Sequence, residues 1–116
     1  MHEGAIAESI VDIIKQTALI NKLERITTVR LRIGKLSGVM VDALLFALDA
    51  LKNEEPLIKD AVFDVENVAI RARCLLCSRE FCFKNESDIV LICPYCNMPL
   101  DIVDGKQMEI IDIEGE

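Results

Sequence analysis

Residues 74–96 read CLLCSREFCFKNESDIVLICPYC, two C-x2-C pairs, Cys74/Cys77 and Cys93/Cys96, with fifteen residues between them. Each short pair can turn both sulfurs toward one point, and a hairpin between the pairs brings four thiolates together as a tetrahedron. All four positions of such a site are filled by protein, so it is closed to water and substrate and marks a structural metal. A segment of about thirty residues buries too little apolar surface to fold alone, so bound metal supplies its folding energy. Disulfides or a redox C-x2-C pair are the alternatives. Zinc and iron both accept four thiolates. Ser78 and Asn97 stand where rubredoxin-type iron knuckles usually carry glycine, which favours zinc. The fifth cysteine, Cys82 in Phe81-Cys82-Phe83, reads as a small buried hydrophobe, with Phe81 and Tyr95 as ribbon packing. Arg71, Arg73, Arg79 and Lys84 are close enough in sequence to offset thiolate charge.

Outside this module the apolar pattern is periodic. From Ala5 to about Asn21, the residues Ile6, Ile10, Ile13, Ile14, Thr17 and Ile20 recur at helical spacing, predicting an amphipathic helix that begins almost at residue 3. Val29, Leu31 and Ile33 alternate with Thr28, Arg30 and Arg32, a strand with one buried face. After the turn residues Gly34-Lys35-Leu36-Ser37-Gly38, Leu44, Leu45, Leu48 and Leu51 predict a second helix over Asp42 to Lys52, stopped by Asn53 and Pro56. Ala61 to Ile70 reads as one strand with an irregularity at Glu66-Asn67. The stretch Met108 to Ile113 reads as another, with Met108, Ile110 and Asp112 on one face. The predicted fold is α+β: two helices packed on a three-stranded sheet, with a four-cysteine zinc ribbon inserted before the last strand. Residues 1–70 plus 105–116 form the α/β domain and residues 71–104 the ribbon.

Composition narrows the functions available. Aromatic residues are 4% of the chain against 52% hydrophobic overall, so the core must be aliphatic. The formal charge of −7 repels phosphate backbones and anionic membranes, and no basic stripe accompanies the ribbon, which argues against nucleic acid and favours a cationic ligand or basic partner. No leader-like pattern or membrane-length apolar run is visible, predicting a cytoplasmic protein, where five cysteines point to metal before disulfides. His2 is the only histidine, so no base–nucleophile pair or open catalytic metal site can be assembled, and an enzyme is not expected.

That histidine follows Met1 and precedes Glu3. If the terminus is free, the Met1 amine and the His2 amide nitrogen close a five-membered chelate ring on a metal. The same amide with the imidazole closes a six-membered ring, leaving a fourth position for Glu3 or an outside ligand. Nitrogen-rich tetragonal sites of this kind suit Ni(II) or Cu(II). On Met1-His2-Glu3 leading at once into a helix, Ile33-Gly34-Lys35-Leu36-Ser37-Gly38, Arg71-Ala72-Arg73-Cys74, the Cys93/Cys96 pair and Met108-Glu109-Ile110, the chain resembles the HypA/HybF hydrogenase nickel-incorporation proteins over essentially its full length.

The resemblance implies a metallochaperone that delivers Ni(II) during maturation of [NiFe]-hydrogenase, in some organisms also of urease. Its implied partners are the nickel GTPase HypB, the hydrogenase large-subunit precursor and, in those organisms, urease maturation proteins. It makes Met1, His2 and Glu3 the nickel ligands and Cys74, Cys77, Cys93 and Cys96 the ligands of structural Zn(II). Oligomeric state is open, a homodimer by exchange of a helix or the ribbon included. Gly4 departs from the larger residue common in the family and predicts a looser first helical turn. The competing reading is a zinc-ribbon module that binds protein or nucleic acid and has no nickel function.

Overall fold

The amino-terminal periodicity produces a helix, α1, over Glu3–Asn21. It belongs to a computed structural model that describes residues 2–116. The inward face of α1 is Ala7, Ile10, Val11, Ile14 and Ala18. Ile13 and Ile20, which share the helical spacing, are exposed together with Leu19. Ala7 and Ala18 join Ile10, Val11 and Ile14 in the core, and as small residues they let neighbouring elements approach closely. The helix stops where Lys22 takes a left-handed φ of 56° and the Leu23 N–H closes on the Ala18 carbonyl at 2.8 Å.

Strand β1, Ile26–Gly34, is the centre of the first sheet. As its alternation requires, Val29, Leu31 and Ile33 are buried. The opposite face carries Arg30, bonded to Asp112 and Glu114 at 2.9 Å each, and Arg32, bonded to Glu66 at 3.2 Å. Helix α2, Val41–Lys52, buries Leu44 and Leu48 and crosses over to β2, Val62–Val68, which runs parallel to β1. The last strand, β6, Met108–Gly115, pairs antiparallel on the other side of β1, giving the order β2-β1-β6. Side chains of α1, α2 and the inner sheet face make one aliphatic core. The predicted two helices on a three-stranded sheet are present.

The inserted segment makes a second sheet, ordered β4-β3-β5, from β3, Ile70–Cys74, β4, Glu80–Phe83, and β5, Leu100–Asp104. Its own small core contains Ala72, Cys74, Cys93 and Leu100. The molecule measures 55 × 25 × 17 Å with a radius of gyration of 17.7 Å. A single compact body of this length would have about 13 Å, so the two cores lie along a long axis.

Two strand readings need correction. Ala61 to Ile70 is not one strand: the ladder with β1 ends at Val68, and Ile70 begins β3 in the other sheet. The break falls at Ala69 and not at Glu66-Asn67, where the pattern predicts an irregularity but the ladder with β1 runs on in register. In β6 the register slips where Arg30 faces Asp112 and Leu31 faces Ile110, so Ile111 is an extra, outward residue. The inward set is therefore Met108, Ile110 and Ile113.

Where the chain passes between sheets, backbone packs on backbone. The Gly34 N–H donates to the Gln107 carbonyl at 2.8 Å, Lys35 to Val68 at 3.0 Å and Leu36 to Gly105 at 2.7 Å. A Cβ at Gly34 would fall on the Gly105 carbonyl group, and Gly105 itself has φ +109°. Gly34→Ala is accordingly expected to lower unfolding free energy by about 1–3 kcal/mol, since backbone cannot rotate aside. A denaturant midpoint shift measures this, and a wild-type midpoint would contradict it.

Candidate metal centres

Cys74 ends β3 with Cys77 in the turn after it, and Cys93 and Cys96 lie between the bridged residues Ile92 and Pro99. The two turns are built alike. Cys74 N–H donates to the Arg79 carbonyl at 2.9 Å, and Ser78 N–H to the Cys74 carbonyl at 3.1 Å. Likewise Cys93 donates to Met98 at 2.8 Å, and Asn97 to Cys93 at 2.9 Å. Ser78 and Asn97 have φ of 62° and 58°, so these residues adopt the left-handed conformation that glycine usually supplies in such a knuckle.

The result is convergence of the four predicted thiols, whose sulfurs all lie within 4.8 Å of one another. Cys74 Sγ is 3.2 Å from Cys96 Sγ, and Cys77 Sγ 3.7 Å from Cys93 Sγ. Zn–S bonds of about 2.3 Å place tetrahedral sulfurs roughly 3.8 Å apart, so the donor set fits a four-thiolate metal. Local donors prepare the thiolate form. N–H groups, Cys77 first and then Leu76, draw the Cys74 pKa down to about 6. The thiol of Cys96, held by its hydrogen bond to Cys74, is pushed up to about 12. At Cys93 burial opposes ionisation, but N–H donation from Tyr95 and Cys96 outweighs it and lowers the pKa.

The rest of the ribbon differs in part from expectation. Cys82 is exposed on β4, not buried between the aromatics, because Phe81 and Phe83 take the inward positions of that strand. Tyr95 stacks on Phe81 with centroids 6.4 Å apart, and the Arg79 guanidinium lies 3.9 Å from the Tyr95 ring centre. Arg71 and Arg73 do not serve the thiolates: both pair with Glu80, at 3.2 and 2.6 Å, and Arg71 also reaches Asp104 at 3.4 Å. Carboxylates on the neighbouring strands are nearer partners.

The second group of expected ligands stands at the start of α1. Met1 lies outside the described residues. His2 is the residue before the helix, with an exposed side chain that makes no cap hydrogen bond, while its carbonyl accepts the Ile6 N–H at 3.1 Å. Glu3 is in the first turn, but its hydrogen-bond partner is on the other helix: Oε1 accepts the Met40 N–H at 3.0 Å. Met40 is the capping residue of α2, and its role was invisible in the sequence because a backbone amide donor has no side-chain signature. A Cβ at Gly4 would meet nothing within 4 Å, so packing does not require glycine there.

The Met40 N–H, ahead of Glu3's own, holds the Glu3 carboxyl below the ordinary carboxylate range. The contact therefore stabilises the fold at pH above the ordinary value of 4.5 and fades as pH falls through the lowered one. Glu3→Ala is expected to lower the melting temperature near neutrality, with the gap to wild type closing well below pH 4.5. Melting curves across pH check this. For the ribbon, Cys74→Ser or Cys93→Ser should drop bound metal from about one ion per chain to a small fraction. The helical circular dichroism should persist, since α1 and α2 pack in the other core. Elemental analysis with dichroism tests both statements.

A family model described as hydrogenase/urease nickel incorporation, metallochaperone, hypA matches residues 1–115. The hydrogenase maturation factor HypA of Chloroflexus aggregans is 35% identical over 115 residues, covering 98% of either chain. That of Moorella thermoacetica is 33% identical over 117 residues, covering 100% of both. The solution structure of the nickel metallochaperone HypA from Helicobacter pylori superposes with a TM-score of 0.67 at 23% identity, covering 99% of this chain and 97% of the other. That likeness is one of fold.

Proposed function

This chain belongs to the HypA family of hydrogenase/urease nickel-incorporation metallochaperones, and from that membership we propose that it captures Ni(II) at its amino terminus and releases it to a hydrogenase precursor. The ligands are the Met1 amine, the His2 amide and imidazole nitrogens, and the Glu3 carboxylate. Two fused chelate rings on adjacent residues need no folded cavity, only a free amine and an exposed imidazole. The observation that carries the reading is that the chain's single histidine is exposed at the start of α1 in a chain matched by the nickel-incorporation family from residue 1.

Electrostatics at this end set the pH behaviour. The α1 amino terminus carries a partial positive charge beside His2. The same charge opposes a dication, so the Glu3 carboxylate and loss of the amide proton must compensate. Affinity therefore falls steeply on acidification, as each ligand is reprotonated.

Cys74, Cys77, Cys93 and Cys96 hold structural Zn(II), which cross-links the ribbon and offers no open position. Residues 71–104 are the zinc domain and residues 1–70 plus 105–116 the nickel domain. Nothing is catalysed; the work is capture and transfer. The recipients are the [NiFe]-hydrogenase large-subunit precursor and the nickel GTPase HypB, with urease maturation proteins in organisms that make urease, all in the cytoplasm. Among the described residues no helix is long and apolar enough to cross a membrane, which is compatible with that site of action.

His2→Ala is expected to abolish tight nickel binding while zinc content and melting temperature stay unchanged. Calorimetric titration of untagged protein tests this. Equal nickel affinity in mutant and wild type would overturn the proposal and favour a zinc-ribbon binding module.

A further inference from the structure

One oxygen of the Glu3 carboxylate, Oε1, is tied to the other helix. Oε1 accepts the Met40 N–H at 3.0 Å, the amide of the residue at which α2 begins. That donor is held firmly. The loop leading to it is fastened by Gly34 to Gln107, Lys35 to Val68 and Leu36 to Gly105, and the Ser37 hydroxyl accepts the Val39 N–H at 3.2 Å one residue before Met40. From Met40 onward the chain is helical, with the Leu44 N–H closing on the Met40 carbonyl at 2.9 Å.

We propose that the Met40 backbone N–H is a positioning group for nickel: by holding Glu3 through Oε1 it orders the carboxylate beside His2 and leaves Oε2 as the ligand oxygen. This rests on the amino-terminal nickel reading. An exposed glutamate otherwise samples many rotamers, and fixing one on metal binding costs entropy. A preformed hydrogen bond lowers that cost and orients the carboxylate, as outer hydrogen-bond partners of metal ligands do, typically with a 10–100-fold effect on affinity. The Met40 side chain is 68% exposed and takes no part.

Met40→Pro removes the donor, and the φ of −84° at this position is near the range proline accepts. Met40→Ala retains it. Nickel titration of the untagged full chain should give wild-type affinity for Met40→Ala and about tenfold weaker affinity for Met40→Pro. In a Glu3→Ala background, Met40→Pro should add nothing further, because its effect passes through the carboxylate. Wild-type affinity in Met40→Pro, or an equal loss in the Glu3→Ala background, would overturn the inference. So would a wild-type affinity in Glu3→Ala itself.

Should proline disturb α2, amide hydrogen exchange at Met40 decides without it. Protection should be lost in Glu3→Ala and be kept or increased when wild type binds nickel; loss of protection on nickel binding would mean the metal pulls Glu3 off the amide, overturning the inference. A nickel affinity unchanged by His2→Ala would instead defeat the underlying nickel reading. Loss in His2→Ala with none in Met40→Pro defeats only the role of Met40.

Discussion

Gly34 and Gly105 meet backbone to backbone, with no room for a methyl group between them, and the rest of the molecule is arranged from that contact. On one side β1 passes its hydrophobic face to two helices. On the other, the chain leaves through Ala69 and returns through Gly105 to make the ribbon. Three backbone hydrogen bonds from Gly34, Lys35 and Leu36 fasten the start of the β1–α2 loop to both crossing strands. The same loop delivers Met40 to Glu3. A joint made only of main chain thus sets where the first turn of α1 can be tied down.

The proposed function assigns two kinds of metal chemistry to separate parts of this layout. The ribbon draws four soft sulfur donors into a closed cluster that shares its core with Ala72 and Leu100, the setting of a cross-link. His2, exposed before α1, and Glu3 in its first turn offer nitrogen and carboxylate donors, the setting of a reversible ligand. Acidic charge over the whole chain favours cation approach to either, and only the open end allows departure without unfolding. On the proposed function, capture and scaffold are separate because a site that must release metal cannot also be the source of folding energy.

The cysteine spacing and the Val29, Leu31, Ile33 alternation were enough to read the architecture, because each needs only local sequence to specify its geometry. What escaped depended on partners. Helical spacing admits Ile13 and Ile20 to the apolar stripe, but the depth of burial is decided by where α2 and the sheet stop. The bulge at Ile111 exists only relative to β1, and the break at Ala69 only relative to the second sheet. Arg71 and Arg73 lie near the thiolates in sequence, yet Glu80 on the paired strand claims them. At the start of α1 the hydrogen bond from the Met40 amide to Glu3, thirty-seven residues away, had no side-chain signature to read.

On the proposed function, nickel binds to nitrogen and oxygen donors at the amino terminus while the thiolates hold a different metal. X-ray absorption at the nickel edge, on untagged protein replete with zinc and loaded with one equivalent of nickel, tests this directly. The expected result is a nickel shell of nitrogen and oxygen with an imidazole contribution and no sulfur, alongside an undisturbed four-sulfur zinc shell. Sulfur in the nickel shell would contradict it and place the cargo in the ribbon.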